Sequence, residues 1–288
     1  MYGLLGMEAH VFAIVLLAAL FHATWNAFIK VDSDRLLFMA VLMASGGIGA
    51  LSTTLFLPPP DVQSWPYIAL SILLHQGYVA FLLLAYRFGD LSHVYPLARG
   101  SAPLIVAVFA MTLVGETLTY QAFLAVVTMG VGIMSLSLTR GAQNLRDPWA
   151  VFFALGTGLF IAGYTLTDGV GARLAGSAHS YSAWMLGLEW IPIVLFTLST
   201  RKMHALQQVG RIWKPALLMG LLSLAAYWAV IWAMTVAPIA LVAALRETSI
   251  IFAVLFGVLF LKERLSLVRL AATMSTLAGA VLLKVSRP

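Results

Sequence analysis

LSHVYPLARGSAPLIVAVFAMTLVGETLT, residues 91–119, returns 147 positions later as PIALVAALRETSIIFAVLFGVLFLKERLS, residues 238–266. With no gap, Arg99 falls on Arg246, Phe109 on Phe256, Glu116 on Glu263 and Leu118 on Leu265. The same offset places Ala125 on Ala272 and Gly132 on Gly279, so the likeness continues through the next apolar segment. The chain is a duplication. Each copy holds an arginine well inside an apolar run and a glutamate at the end of that run, which points to the junction between the copies as the place of function.

The composition decides the solvent. Of 288 residues, 61% are hydrophobic and 10% charged, with a mean hydropathy of +0.96; a soluble surface needs roughly a quarter of its residues charged. The formal net charge of +6 lies in short connections between apolar runs, which marks membrane topology rather than a nucleic-acid patch. With no cysteine, the chain has no disulfide, thiolate metal site or cysteine nucleophile. The start, MYGLLGMEAH, carries neither a basic region nor a small-residue cleavage site, so the first apolar run reads as a retained helix.

A membrane-spanning helix takes about 20 apolar residues, and ten such runs are present, near 10–29, 35–57, 66–87, 92–114, 119–139, 148–170, 179–199, 213–235, 239–261 and 266–284. They predict an all-α integral membrane protein with ten transmembrane helices. VDSD, PPPD, FGD, GAQNLRD and the polar RKMHALQQVGRIWK separate them. The segment 140–147 divides the chain into a first repeat, 1–140, and a second, 141–288. Five spans per copy turn the second copy upside down, giving a five-plus-five inverted repeat around a central cavity. Apart from Arg99 and Arg246, the connections after the odd-numbered spans carry twelve Lys and Arg against three on the other side. The positive-inside rule then puts both termini outside.

An ionisable group in mid-membrane costs at least ~2.5–3.5 kcal/mol on insertion scales, so each needs a partner or a purpose. Arg99, Asp168, Glu189, Arg246 and Glu247 are such groups, with His22 and His75. They either form structural ion pairs or line a watery cavity in which an arginine fork would hold a carboxylate. Around Arg99, in YPLARGSAP, Pro96, Gly100 and Pro103 suggest a broken helix with exposed carbonyls, or simple kinks. His75, Tyr78 and Tyr86 fall within about 60° of one another on the third span. His22 and Asn26 on the first span echo Tyr164 and Asp168 on the sixth, each pair four apart on one face. Tyr95, Trp184, Tyr227, Trp228 and Trp232 complete an aromatic set suited to an apolar side chain, or to packing. No GxxxxGK[ST], HExxH, GxSxG or metal cluster occurs, so no nucleotide-driven pump, cofactor or enzyme chemistry is expected.

The ten spans, the inverted duplication, HATWNAFIK in the first span and the GETLT and KERLS endings resemble the drug/metabolite transporter superfamily, in particular bacterial ten-helix EamA-type exporters. Within these the chain looks most like aromatic amino-acid exporters. The resemblance implies spans 3, 4, 8 and 9 as the cavity wall, spans 5 and 10 at the periphery, and structural roles for Glu116 and Glu263. It also implies an inner-membrane location and termini inside, against the charge count. Small relatives that exchange drugs for protons carry a glutamate in the first span, where this chain has His22 and Asn26.

The resulting expectation is a monomeric exporter or facilitator of amino acids, aromatic and bulky neutral ones favoured, in the lipid bilayer and without nucleic acid or nucleotide. Arg99 or Arg246 would hold the carboxylate, and Asp168, Glu189 or Glu247 would face the amino group. The side chain would meet His75, Tyr78, Trp184, Trp228 and Trp232. The alternatives are an exporter of drugs or other metabolites and a non-transporting membrane protein such as a lipid scramblase.

Overall fold

In lipid the backbone must satisfy its own hydrogen bonds, so long apolar segments become helices. The computed structural model describes residues 7–29, 34–138, 147–201, 203–259 and 266–285, and the described residues form helices and turns without strands. The first half comprises α1 (Ala9–Ile29), α2 (Arg35–Thr53), α3 (Trp65–Phe88), α4 (Leu91–Phe109) and α5 (Tyr120–Met134). The second half comprises α6 (Pro148–Leu174), α7 (Ala178–Arg201), α8 (Met203–Val236), α9 (Ile239–Arg246), α10 (Ser249–Leu259) and α11 (Leu267–Val285). Counting α9 and α10 as one span, ten are long and apolar enough to cross a bilayer, and the chain is a multi-pass membrane protein.

Local chemistry sets the helix ends. Asp34 accepts from the Leu37 amide at 3.2 Å, Thr119 from Ala122 at 3.2 Å and Asp147 from Trp149 at 2.9 Å, so α2, α5 and α6 start on side-chain caps. Pro148 fits the first position of α6, where its missing N–H costs nothing. The prolines at 58–60 end the second span earlier than the hydropathy suggested, at Thr53. Conversely, α8 begins at Met203 and takes in the polar segment before Pro215, making 34 residues, or roughly 50 Å at 1.5 Å each.

The packing follows the duplication. α3 lies on α6 as α8 lies on α1, and α4 lies on α6 as α9 and α10 lie on α1. α2 pairs with α7 and α5 with α11, each helix against its own counterpart. Small residues let the backbones approach: a Cβ on Gly132 would fall 2.6 Å from Ser275 Cβ, and one on Gly279 would fall 2.3 Å from Met129 Cγ.

Two elements correct the sequence reading around the arginines. α4 is unbroken, with Pro96 and Pro103 inside it, because neighbouring backbones clamp this stretch: a Cβ on Gly100 would meet Gly130 O at 2.6 Å, and one on Gly158 would meet Ala98 O at 2.9 Å. The break falls in the other copy, between Arg246 and Ser249, where no proline stands. There the Thr248 hydroxyl takes the Leu245 carbonyl at 2.7 Å, and the amides of Glu247, Thr248, Ile250 and Ile251 bond three residues back instead of four.

The span of α4 ends in a single π turn over Ala110–Val114 and then at Gly115, whose φ of 76° suits glycine. That turn presents Glu116 to the N-terminus of α9, where its carboxylate accepts from Ile239 N at 2.8 Å and Ala240 N at 3.3 Å. Arg173 at the end of α6 donates to the same carboxylate at 2.8 Å and to the Met234 and Ala237 carbonyls at 2.9 and 3.1 Å. Glu116 therefore joins four spans at one membrane face. Glu263, its repeat partner, lies outside the described residues.

Candidate functional site

Arg99 and Arg246 each sit about eight residues into their spans from opposite membrane faces, roughly 12 Å deep at 1.5 Å per residue. Both reach Glu247. Arg99 Nη2 lies 2.9 Å from Glu247 Oε2, and Arg246 Nε lies 3.9 Å from Oε1. All three are buried, with relative exposures of 6%, 5% and 2%. Two guanidinium charges thus share one carboxylate, and Arg246 Nε has no hydrogen-bond acceptor. Aromatic faces supply part of what is missing: Arg246 Cζ lies 6.0 Å from the ring centres of both Tyr164 and Tyr227, and Arg99 Cζ lies 6.0 Å from that of Tyr95.

Beside this centre is a cavity of about 60 Å³ lined by His22, Asn26, Tyr95, Arg99, Glu247 and neighbours on α1 and α10. It is far smaller than the ~300 Å³ at which small-ligand pockets begin. Asn26 Nδ2 stands 3.1 Å from His22 Nε2 and donates to the His22 carbonyl at 2.9 Å, which holds the polar pair of α1 together.

A second polar group adjoins on the far side of the tyrosines. Asp168 Oδ1 accepts from the Tyr181 hydroxyl at 3.0 Å and Oδ2 from the Tyr227 hydroxyl at 2.5 Å. His75 stacks on Tyr164 at 3.9 Å, meets Tyr227 edge-on at 5.8 Å, and points Nε2 at Glu189 Oε1, 3.8 Å away. Tyr78 stands edge-on to Tyr164 at 6.0 Å. Tyr164 and Tyr227 therefore lie between His75 and Arg246 and touch both.

The structure brings together eleven of the residues singled out in the sequence. His22, Asn26, Tyr95, Arg99 and Glu247 surround the cavity, and His75, Tyr78, Tyr164, Asp168, Glu189 and Arg246 form the adjoining cluster. Four stand apart. Tyr86 packs against a cluster of Ala85, Val94, Ala150 and Ala154, and Trp184 lies edge-on to Trp65 at 5.1 Å. Trp228 and Trp232 line a shallow apolar groove of about 300 Å³ with Ile14, His179, Ala225 and Ala229, where Trp228 Nε1 donates to His179 Nδ1 at 2.9 Å.

The aromatic wall beside the arginines is therefore built of tyrosine. Tyr227, which the sequence offered with Trp228 and Trp232, belongs to it, whereas Tyr181, which the sequence reading passed over, holds Asp168 behind it. Adjacent residues on a helix point 100° apart, so Tyr227 turns inward with Ile231, which is fully buried, while Trp228 and Trp232 turn to the groove. Spans 5 and 10 contribute no side chain to either polar group among the described residues.

A solved structure described only as a crystal structure of a protein superposes with a TM-score of 0.76, covering 96% of this chain and 98% of its own at 18% identity, which shows a shared fold. No curated protein matches the chain. The EamA-like transporter family matches residues 148–285, which run from the first residue of α6 to the last of α11. The second five-span half of this chain is thus similar to an EamA-like transporter domain.

Proposed function

We propose that the chain transports amino acids, with aromatic and other bulky neutral ones favoured, and that its two halves are both EamA-like repeats that rock about the Arg99–Glu247–Arg246 centre to open it to one membrane face and then the other. The observation that carries this reading is the unpartnered Nε of Arg246, buried beside a Glu247 carboxylate already committed to Arg99. A substrate carboxylate supplies the missing acceptor, a charge-assisted bond of about 1.5–3 kcal/mol. Tyr164, Tyr227 and Tyr78 offer ring faces to the substrate's side chain, and the neighbouring acids offer charge to its amino group. A cavity of about 60 Å³ cannot hold phenylalanine, so loading requires the halves to part.

Two guanidinium groups at the centre disfavour lipophilic cations as substrates. Proteoliposomes loaded with radiolabelled phenylalanine test the reading: protein-dependent efflux, slowed by unlabelled neutral amino acids and unaffected by lipophilic cations, is the expected result. Competition by the cations would favour drug export instead. Movement of fluorescent lipid without movement of any polar solute would make the protein a scramblase.

A further inference from the structure

Two seams join helices of opposite halves, α3 on α6 and α8 on α1, and the repeat makes them counterparts. Phenylalanine closes the first. Phe81 rests on Gly156, where a Cβ would fall 2.5 Å from Phe81 Cδ1, and its ring lies 6.3, 5.5 and 4.8 Å from those of Phe152, Phe153 and Phe160. Trp228 is the counterpart of Phe81 at the 147-residue offset, and Ile14 is that of Gly156 at the offset of 142 that sets His22 over Tyr164. The branched Ile14 has no room for a ring laid flat upon it. The Trp228 indole turns instead to His179 of α7, 2.9 Å away, and Ala225 and Ala229 are too short to fill the space that remains. The seam therefore keeps the groove of about 300 Å³ between α1, α7 and α8.

The groove has a direction. From Trp232 to Ala225 it follows seven residues of α8, about 10 Å along the helix axis, as an acyl chain would run. Its upper end lies at the membrane surface, because His10 and His179 are each the second residue of a helix and the His10 ring lies 6.3 Å from that of Trp232. Polar groups gather at that end. The indole N–H can only donate, so His179 Nδ1 accepts and His179 Nε2 carries the ring hydrogen; among the described residues no group accepts it. Glu8, 3.1 Å from His10 Nδ1, places a carboxylate beside the same mouth.

We propose that this groove is a binding site for phosphatidylethanolamine, with one acyl chain along Ile14, Ala225 and Ala229, the phosphate accepting from His179 Nε2 and the ammonium toward Glu8. Three observations select this occupant. The chain is a multi-pass membrane protein, so the groove opens onto lipid. The counterpart seam holds hydrocarbon in the equivalent place, and an unfilled groove forfeits those dispersion contacts. The mouth offers one donor and one carboxylate, which match a phosphate and an ammonium. Because α1 belongs to one half and α7 and α8 to the other, the lipid touches both halves. The site does not depend on what is transported.

Native mass spectrometry of the full-length protein in detergent, exchanged with defined lipids, tests the proposal. One phosphatidylethanolamine per chain should survive washing, in preference to phosphatidylglycerol, and should raise the melting temperature of delipidated protein. Ala225→Phe combined with Ala229→Phe fills the groove as Phe81 fills its counterpart. This variant should melt no lower than the wild type without lipid, retain no lipid and gain nothing from its addition. Leu195→Phe, at a lipid-facing position 61% exposed elsewhere, should behave as the wild type.

A second measurement needs no variant. Phosphatidylethanolamine carrying a diazirine midway along one acyl chain should label Ile14 and Ala225, and the same lipid with the diazirine next to the ester should label Trp228 or Trp232. Labelling spread evenly over lipid-facing residues would overturn the proposal. So would no retained phospholipid, retention undiminished in the filled variant, or phosphatidylglycerol held as firmly as phosphatidylethanolamine.

Discussion

Ser275 donates a hydrogen bond of 2.9 Å to the carbonyl of Thr128, the residue 147 positions before it and its own counterpart in the other repeat. A contact between equivalent positions of two copies lies on the axis that relates them. The pseudo-two-fold axis therefore passes between α5 and α11, and by the same argument between the counterparts Arg99 and Arg246, which meet at Glu247.

The tight seam at that axis predicts an asymmetric response to mutation. Gly279→Leu forces a side chain into Met129 and the Ala125 carbonyl, 2.3 and 3.0 Å from where its Cβ would lie, and should cost about 1–3 kcal/mol. Ser275→Ala removes one interhelical hydrogen bond, about 0.6 kcal/mol in membranes. Thermal melts in detergent should show a clear drop for the first and little for the second; equal melts would mean the seam is loose.

Arg99 and Glu247 should be energetically coupled. Neutralising either one strands a buried charge at a cost of about 3–5 kcal/mol, so Arg99→Gln and Glu247→Gln should each be far less stable than the wild type. The double variant should recover much of the sum of the two losses. Equilibrium unfolding in mixed micelles measures the cycle, and strictly additive losses would show that the 2.9 Å pair contributes nothing.

Arg246→Lys separates binding from folding. Arg246 Nε makes no hydrogen bond in the resting protein, so the melting temperature should stay near that of the wild type. A lysine keeps the charge but lacks the planar fork, and phenylalanine transport should fall about tenfold or more. Normal transport by this variant would remove Arg246 from substrate recognition.

Glu116→Ala should destabilise by about 1.5–3 kcal/mol, since it takes the carboxylate from half-buried Arg173 and uncaps α9. Glu116→Gln, which keeps an acceptor for Ile239 N, should lose less. The comparison is read from melting temperature, and an Ala variant as stable as the Gln variant would show that the cap, not the charge, is dispensable.

Much of the architecture is legible in the sequence because the bilayer imposes a single period and length on every span. The duplication supplies orientation besides: the 147-residue offset that aligns Arg99 with Arg246 also makes α5 and α11 counterparts, and the structure packs them together. What the sequence hides is rotation about each helix axis. Trp228 and Tyr227 are neighbours, and only packing decides that the tyrosine faces the arginine while the tryptophan faces the groove. Proline likewise misleads, because Pro96 and Pro103 are absorbed by glycine contacts from α5 and α6, whereas the interruption beside Arg246 comes from Thr248, whose hydroxyl competes for its own helix's carbonyl.

The counterpart of Glu247 in the first repeat is Gly100, a backbone contact for Gly130 rather than a charge. Two identical inverted halves would be exchanged by a two-fold rotation in the membrane plane, which in the proposed mechanism would give inward- and outward-open forms of equal energy. Glu247, like Asp168 and Glu189, which meet Phe21 and Leu42 at the same offset, ends that indifference. It belongs to the second repeat, so in the proposed rocking mechanism the negative charge would travel with that repeat, and the two open forms would expose it to different depths of water. In the proposed rocking mechanism the rest position would then depend on such unmatched acids, and moving a glutamate to position 100 while emptying position 247 is the substitution that should shift it.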